Sequence, residues 1–274
     1  MVRQYYVNQI TKFSERELQS VAEAVEPPFC LLGGWAVYCH VNTGFEQEHD
    51  RSYIGSRDIG LGLHIDPDWN ADELAENSIA RSLDQIQELG YTESRFGFVQ
   101  NFDRETGERI SEEKAKNLSL HEVFQVYIDL IPDTTELDAF EEAFGFRPPA
   151  EPLLKPVFEE DKFEPLDKYV SWSPPDSAII VEPELLAAMK IRALPGRDKS
   201  HKRVKDIADL HALLWYVTDY NEIKNSVLEH VSETDIEQLD VATDQQFYEN
   251  AANLLQIEPA IIQASIDRLT QEVT

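Results

Sequence analysis

Phe29-Cys30-Leu31-Leu32-Gly33-Gly34-Trp35-Ala36-Val37-Tyr38 is the stretch on which the fold turns. Its four leading apolar residues lie between Pro27-Pro28, which stop a preceding helix, and a pair of glycines. A bounded apolar run of that length reads as a short buried strand. The glycines then open a helix predicted from Trp35 to about Val41. Two glycines between a strand and a helix let the backbone approach a ligand closely, and the free N–H groups at the helix start favour a phosphate. Taken alone the pair is equally a tight turn, so its surroundings decide.

Upstream, helical spacing runs from about Ser14 to Val25. Downstream, after a polar loop containing Arg51, residues 57 to 65 alternate. Arg57, Ile59, Leu61, Leu63 and Ile65 share one face, and Asp58, Gly60, Gly62 and His64 share the other, the pattern of a strand. A helix is predicted from about Ala71 to Leu89, ended by Gly90. A hairpin follows from Tyr91 to Asn101 and back, turning through Asp103 to Gly107, and then an apolar strand from Val123 to Ile131 that carries Asp129. Strands interleaved with helices predict an α/β (α+β) domain over residues 1–135 with a mixed sheet and flanking helices. Residues 136–180, which include RPPAEP and WSPP, show no sustained period and read as an irregular connection or a cleft cover. Helical spacing resumes near Glu184, with breaks at Pro195-Gly196, near Asp219 and before Pro259, giving a helical C-terminal domain over 181–274.

The 274 residues are 42% hydrophobic, enough for a sizeable core. Against 24 basic residues stand 52 acidic ones, a formal net charge of −28. The acids are spread rather than gathered in a tail, which points to a surface adapted to a salt-loaded cytoplasm rather than to a basic partner. At about 1 M salt the Debye length is only about 3 Å, so local charges govern any anionic ligand. No run approaches the roughly 20 apolar residues of a membrane span, and the N-terminus carries charges where a signal peptide is apolar; the expectation is a cytoplasmic protein with no membrane partner. Cys30 and Cys39 lack the companions of a zinc site and are expected to be buried thiols.

Two further groups carry possible chemistry. Asp58 and Asp129 each interrupt an apolar strand, where a carboxylate is expensive unless it meets a cation or hydrogen-bond donors. Side by side they would hold Mg²⁺ or Mn²⁺, which takes one or two carboxylates plus phosphates and water; the alternative is that each caps a loop at a strand end. The other group is basic. Lys190, Arg192, Arg197, Lys199, Lys202, Arg203 and Lys205 place seven of the 24 basic residues in sixteen positions, where the average density gives about one or two. That concentration points to an anion, the alternative being a solvated basic face. On a helix from about Ser200 to Tyr216, Asp206 projects into the apolar arc of Ile207, Leu210, Leu213 and Leu214, and Asp209 sits at its edge. Lys190 lies inside LLAAMKIRAL on the preceding helix. A Lys190–Asp206 pair at the cleft is therefore expected, and a buried ion pair seldom repays its desolvation through stability alone.

The run GGWA, a loop with arginine, and then SRDIGL resembles the nucleotidyltransferase fold of the polymerase-beta superfamily. GGWA is similar to the opening of aminoglycoside and lincosamide nucleotidyltransferases, and Glu184 to Leu214 resembles the AbiEii-type nucleotidyltransferase toxins. The likeness covers about two thirds of the chain. It implies a nucleotidyltransferase-type mixed sheet in which Gly33 and Gly34 grip a triphosphate, Ser56 precedes the first carboxylate Asp58, and Asp129 is the third carboxylate. It further implies Lys190 and Asp206 in catalysis, with Arg57, Arg197, Lys202, Lys205 and Asp209 toward the nucleotide. Gly60 stands where the family has its second aspartate, and Ile54 where it has an arginine. The implied activity is transfer of a nucleoside monophosphate from a nucleoside triphosphate, with Mg²⁺ or Mn²⁺, to an RNA end or a protein hydroxyl, as in a toxin with a cognate antitoxin. A small aminated or hydroxylated acceptor comes next. Gly60 favours the alternative of a nucleotide- or partner-binding module without catalysis.

Overall fold

A computed structural model describes residues 8–119 and 121–270, so the first residues of the stretch behind the cytoplasmic expectation lie outside the described ones. The chain divides into two compact units. Of the described residues, one takes 8–35 and 55–181; the other takes 36–54 and 182–270.

The first unit is α/β. It contains α1 (Asn8–Ala24), β1 (Phe29–Leu32), the opening of α2 (Gly33–His49), β2 (Ile59–Leu63), α3 (Ala71–Glu76), α4 (Ser78–Glu88), β3 (Thr92–Ser94), β4 (Gly97–Asp103), β5 (Arg109–Ile110), α5 (Glu112–Lys116), β6 (Val123–Pro132), α6 (Asp138–Phe144), α7 (Lys155–Glu159), β7 (Phe163–Pro165) and β8 (Ile179–Val181). Its strands form one mixed sheet in the order β3-β4-β6-β2-β1-β8-β7, with β5 paired to β4. β1 runs antiparallel to β2 and parallel to β8, while β2 runs parallel to β6. Alternation divides the faces of the two central strands. Phe124, Val126, Ile128 and Leu130 of β6 are buried with Ile59, Leu61 and Leu63 of β2, whereas Gln125, Tyr127 and Asp129 are only partly covered.

Three expectations need correcting. The helix over 71–89 is two helices, because Asn77 takes an extended conformation and its side-chain oxygen accepts the N–H groups of Ile79 and Ala80, capping α4 rather than continuing α3. Residues 136–180 are no irregular connection: they supply α6, α7, β7 and β8, and β8 is the parallel neighbour of β1. Strands of three residues are too short to print a period on the sequence. The alternation read from residue 57 begins at Ile59, and this displaces Arg57 from the apolar face.

The second unit is helical. It comprises the remainder of α2, then α8 (Pro183–Ala193), α9 (Ser200–Tyr216), α10 (Tyr220–Leu228), α11 (Glu233–Ala242), α12 (Gln245–Leu255) and α13 (Pro259–Thr270). α9 is its axis, buried continuously from Val204 to Leu214. α2 crosses it at Gly44, where a Cβ would come within 2.2 Å of the Tyr216 carbonyl oxygen, so a side chain there is excluded by backbone. Among the described residues no helix is long and apolar enough to cross a membrane. Cys30 and Cys39 are both buried.

Candidate functional site

In the α/β unit the register of β2, β6 and β1 brings the glycine turn and Asp129 to opposite sides of Gly60. Gly60 pairs with Asp129 on one side and with Leu32 on the other. Paired residues point the same way, so Asp129 stands beside the bare Cα of Gly60. Gly33 has φ of 74°, in the left-handed region that glycine adopts without strain, and a Cβ built on it would lie 4.0 Å from the Gly60 Cα. The turn therefore lies against Gly60, the position where the resemblance implies a second aspartate. Asp58 directly precedes β2 and is two positions before Gly60.

What holds Asp58 in place was hidden in the sequence. Ser14, in α1, is fully buried; its hydroxyl donates to the Arg57 carbonyl at 2.9 Å and accepts from Trp35 Nε1 at 3.1 Å. One serine thus ties the helix opened by the glycine pair to the loop carrying Asp58. Gly55 completes the joint, since a Cβ there would overlap Thr11 Cγ2 at 2.1 Å. Ser56, assigned to the nucleotide by resemblance, donates its hydroxyl to the Asp58 carbonyl at 2.8 Å and shapes the same loop. Arg57 Nε lies 3.1 Å from Asp58 Oδ1, and its guanidinium is over the Tyr127 ring, 5.7 Å from the centroid. Burial raises the Tyr127 phenol above its ordinary pKa; Asp58 and Asp129 push in the same direction and Arg57 opposes them. His64 is occupied elsewhere, with Nδ1 2.6 Å from Asp133 Oδ2 at the far end of β2.

In the helical unit the basic segment folds into a buried network. Lys190 Nζ donates to Asp206 Oδ1 at 2.5 Å and to Asp209 Oδ2 at 2.8 Å, and Arg197 Nε donates to Asp206 Oδ2 at 2.6 Å. Lys205 donates to Asp209 Oδ1, which also accepts the Tyr53 hydroxyl at 2.9 Å. Asp209, expected at the edge of the apolar arc, is 0% exposed, because Tyr53 and α8 close over that side of α9. The electrostatics follow from this order. Burial disfavours the Lys190 ammonium, but Asp206 and Asp209 outweigh it and hold its pKa above the usual lysine value. Burial lowers that of Lys205, with Asp209 offsetting this only in part. For Asp206, burial is overcome by Lys190 and Arg197, and its carboxyl is held below the ordinary range. Lys199 is exposed and Lys202 partly covered. Tyr53 had no signal in the sequence.

The donor set can be tested against a metal. By donor chemistry alone, two carboxylates such as Asp58 and Asp129 would need phosphate and water oxygens to complete the shell of an Mg²⁺ or Mn²⁺ ion. Among the described residues no three His, Cys, Asp or Glu side chains gather as a protein-only cage.

No protein-family profile matches the chain. No curated protein matches it either. It is similar to a solved structure, that of an antigenic nucleotidyltransferase-like protein from Paracoccidioides brasiliensis, at 13% identity over 94% of this chain and 92% of that one, with a TM-score of 0.35. A likeness this distant assigns the chain to no family.

Proposed function

We propose that the α/β unit binds a nucleoside triphosphate with one divalent cation and acts as a nucleotidyltransferase of the cytoplasm. The observation that carries this is the packing of the Gly33-Gly34 turn against Gly60, beside Asp129 in the next strand and two positions from Asp58. Backbone N–H groups at the start of α2 would face the phosphates. Asp58 and Asp129 would hold the ion, which stabilises charge developing on the phosphoryl oxygens. An acceptor hydroxyl oxygen bonds to the α-phosphorus, the bond from that phosphorus to the bridging oxygen breaks, pyrophosphate leaves, and the hydroxyl proton passes to water. The chain's own contribution is positioning, through the loop that Ser14 and Ser56 fix. Resemblance puts an RNA end or a protein hydroxyl first among acceptors, and with it a cognate antitoxin.

Within the helical unit we assign phosphate contacts to Arg197 and Lys202, whose heads are less covered than those of Lys190 and Lys205. Asp206 would then act through Arg197, accepting its Nε–H and leaving the rest of the guanidinium to an anion, while Lys190 fixes Asp206 from its other oxygen. A second reading, binding without catalysis, is favoured by Gly60 and by the Arg57–Asp58 pair. The test is to incubate the protein at high salt with each radiolabelled triphosphate, Mg²⁺ or Mn²⁺ and total RNA. Label transferred to RNA or to protein, and lost in Asp129→Asn, supports the transferase; triphosphate retained without transfer supports the binding module; neither overturns both.

A further inference from the structure

Arg203, on α9, stands apart from the rest of the basic segment. Lys190, Arg197 and Lys205 are met by Asp206 or Asp209. Arg203 instead donates from Nη2 to the Arg197 carbonyl at 3.0 Å, lies over the Phe247 ring with 5.1 Å to the centroid, and has a buried Nε with no hydrogen-bond partner. Among the described residues no carboxylate meets it, in a chain with 52 acidic side chains. A ring and one carbonyl leave most of its N–H donors unused.

The same arginine lines a cleft of about 480 Å³ that lies wholly within the helical unit, formed by the Pro195-Gly196 turn, the start of α9 and α11. That volume is in the range of small-ligand sites. α11 buries Ile236 and Leu239 and lines the cleft with Thr234, Glu237, Gln238 and Val241, which share one helix face. Val241 is 87% exposed. A single exposed valine means little, but this one shares its cleft with Pro195 and with the arginine that no carboxylate meets. We propose that the cleft binds a small amino acid with an apolar side chain: its carboxylate on the Arg203 guanidinium, its ammonium on Glu237 and its side chain on Val241 and Pro195. The charges decide the class. A phosphate or a dicarboxylate would bring more negative charge than Arg203 answers and would meet Glu237 as a like charge. A plain carboxylate leaves Glu237 unanswered, and a plain amine leaves Arg203 so. A zwitterion answers both, and the planar fork of a guanidinium matches the two oxygens of a carboxylate. Thr234 and Gln238 supply neutral donors and acceptors. None of this depends on the nucleotide reading of the α/β unit.

Two-dimensional nitrogen–proton NMR spectra of the full chain, titrated with L-leucine and with L-phenylalanine, test the proposal. At least one of the two should shift the amides of Thr234, Glu237, Gln238 and Val241 in a saturable way. The same molecule lacking its amine should bind several-fold more weakly, and the one lacking its carboxylate about tenfold more weakly, for the lost charge-assisted contact. Arg203→Gln should cost the amino acid about tenfold in affinity, and Arg203→Lys less. Glu237→Lys lies on an exposed helix face, where it spares the fold, and should reverse the preference, so that the analogue without an amine binds better than the amino acid. If Arg203→Gln melts early, Glu237→Lys carries the test alone. No saturable shift of these amides with either amino acid overturns the proposal. So does equal affinity of the wild type for an amino acid and its amine-free analogue, or a preference for the zwitterion that survives Glu237→Lys.

Discussion

Four aspartates define two contrasting sites. Asp206 and Asp209 lie inside the helical unit and are met there by Lys190, Lys205, Arg197 and the Tyr53 hydroxyl, at distances of a direct hydrogen bond. Asp58 and Asp129 lie partly covered on a sheet face whose neighbouring position is a bare glycine. A buried carboxylate must be answered by the protein, since water cannot reach it, so its partners are fixed by folding. A half-covered one is still reached by solvent, even where, as at Asp58, an arginine meets it. The first arrangement specifies packing and the second leaves chemistry open, and variants can separate them.

The largest effect is expected at Asp209. Removing it takes a carboxylate from two buried ammonium groups, Lys190, which keeps Asp206, and Lys205, and breaking a buried pair from one side typically costs about 3–5 kcal/mol. Urea unfolding of Asp209→Ala should show a loss of that order. Asp206→Ala should lose less, because Arg197 is 37% exposed and can turn to water. Equal and small losses would mean that water enters the network and that the contrast with the sheet face is false.

The helical interior also predicts a pH dependence. His211 in α9 is fully buried, with Nδ1 2.8 Å from Ser265 Oγ, and burial, aided by His49, pushes its pKa from 6.5 down to about 3. The unfolded chain takes up this proton near 6.5 and the folded one does not, so the associated stability is complete above that value and declines as the pH falls toward 3. His211→Asn should flatten the stability curve over that window by about 1.4 kcal/mol per pH unit. A curve unchanged by the substitution would show that the imidazole is hydrated in the native state.

Gly60→Asp probes the sheet face directly. The new Cβ presses on the Leu32 backbone, and overpacking of this kind costs about 1–3 kcal/mol. The added carboxylate faces the same side as Asp58 and Asp129, so the variant should be less stable and bind Mn²⁺ more tightly, read by thermal melting and by calorimetry. Tighter binding without destabilisation would mean that β1 yields freely; destabilisation without tighter binding would show that the three side chains do not converge.

Much of this was legible before the structure. The boundaries of β1 follow from four apolar residues between prolines and glycines, and Asp129 announces itself as a charge in an apolar strand. The partnership of Lys190 with Asp206 follows because each is a charge on an apolar helix face with a break between them. The rest was not legible, for definite reasons. Ser14 and Tyr53 join positions far apart in the chain, and neither residue type is unusual where it stands. β8 has three residues and no period to detect. Arg57 was misplaced because alternation was extended two residues beyond the strand that enforces it.

The smallest effect is also the most discriminating. Asp58→Asn removes the charge that Arg57 meets at 3.1 Å, but both side chains reach solvent, with 25% and 21% of their surface open. Ion pairs of that exposure contribute about 0.2–1 kcal/mol, so urea unfolding should move by no more than that, against several times as much for Asp209→Ala. The amide keeps the size of the side chain, and the loop stays fixed by the Ser56 hydroxyl on the Asp58 carbonyl and by Ser14 on that of Arg57, neither of which involves the carboxylate. Stability thus has little reason to change, whereas on the proposed divalent-ion reading Mn²⁺ binding would lose one of its two proposed protein ligands and should weaken at least tenfold. A carboxylate whose removal spares the fold and removes the ion is placed for a ligand. If Asp58→Asn instead destabilises the protein as much as Asp209→Ala and leaves Mn²⁺ binding intact, Asp58 is a structural cap at the mouth of β2 and the contrast between the two pairs of aspartates dissolves.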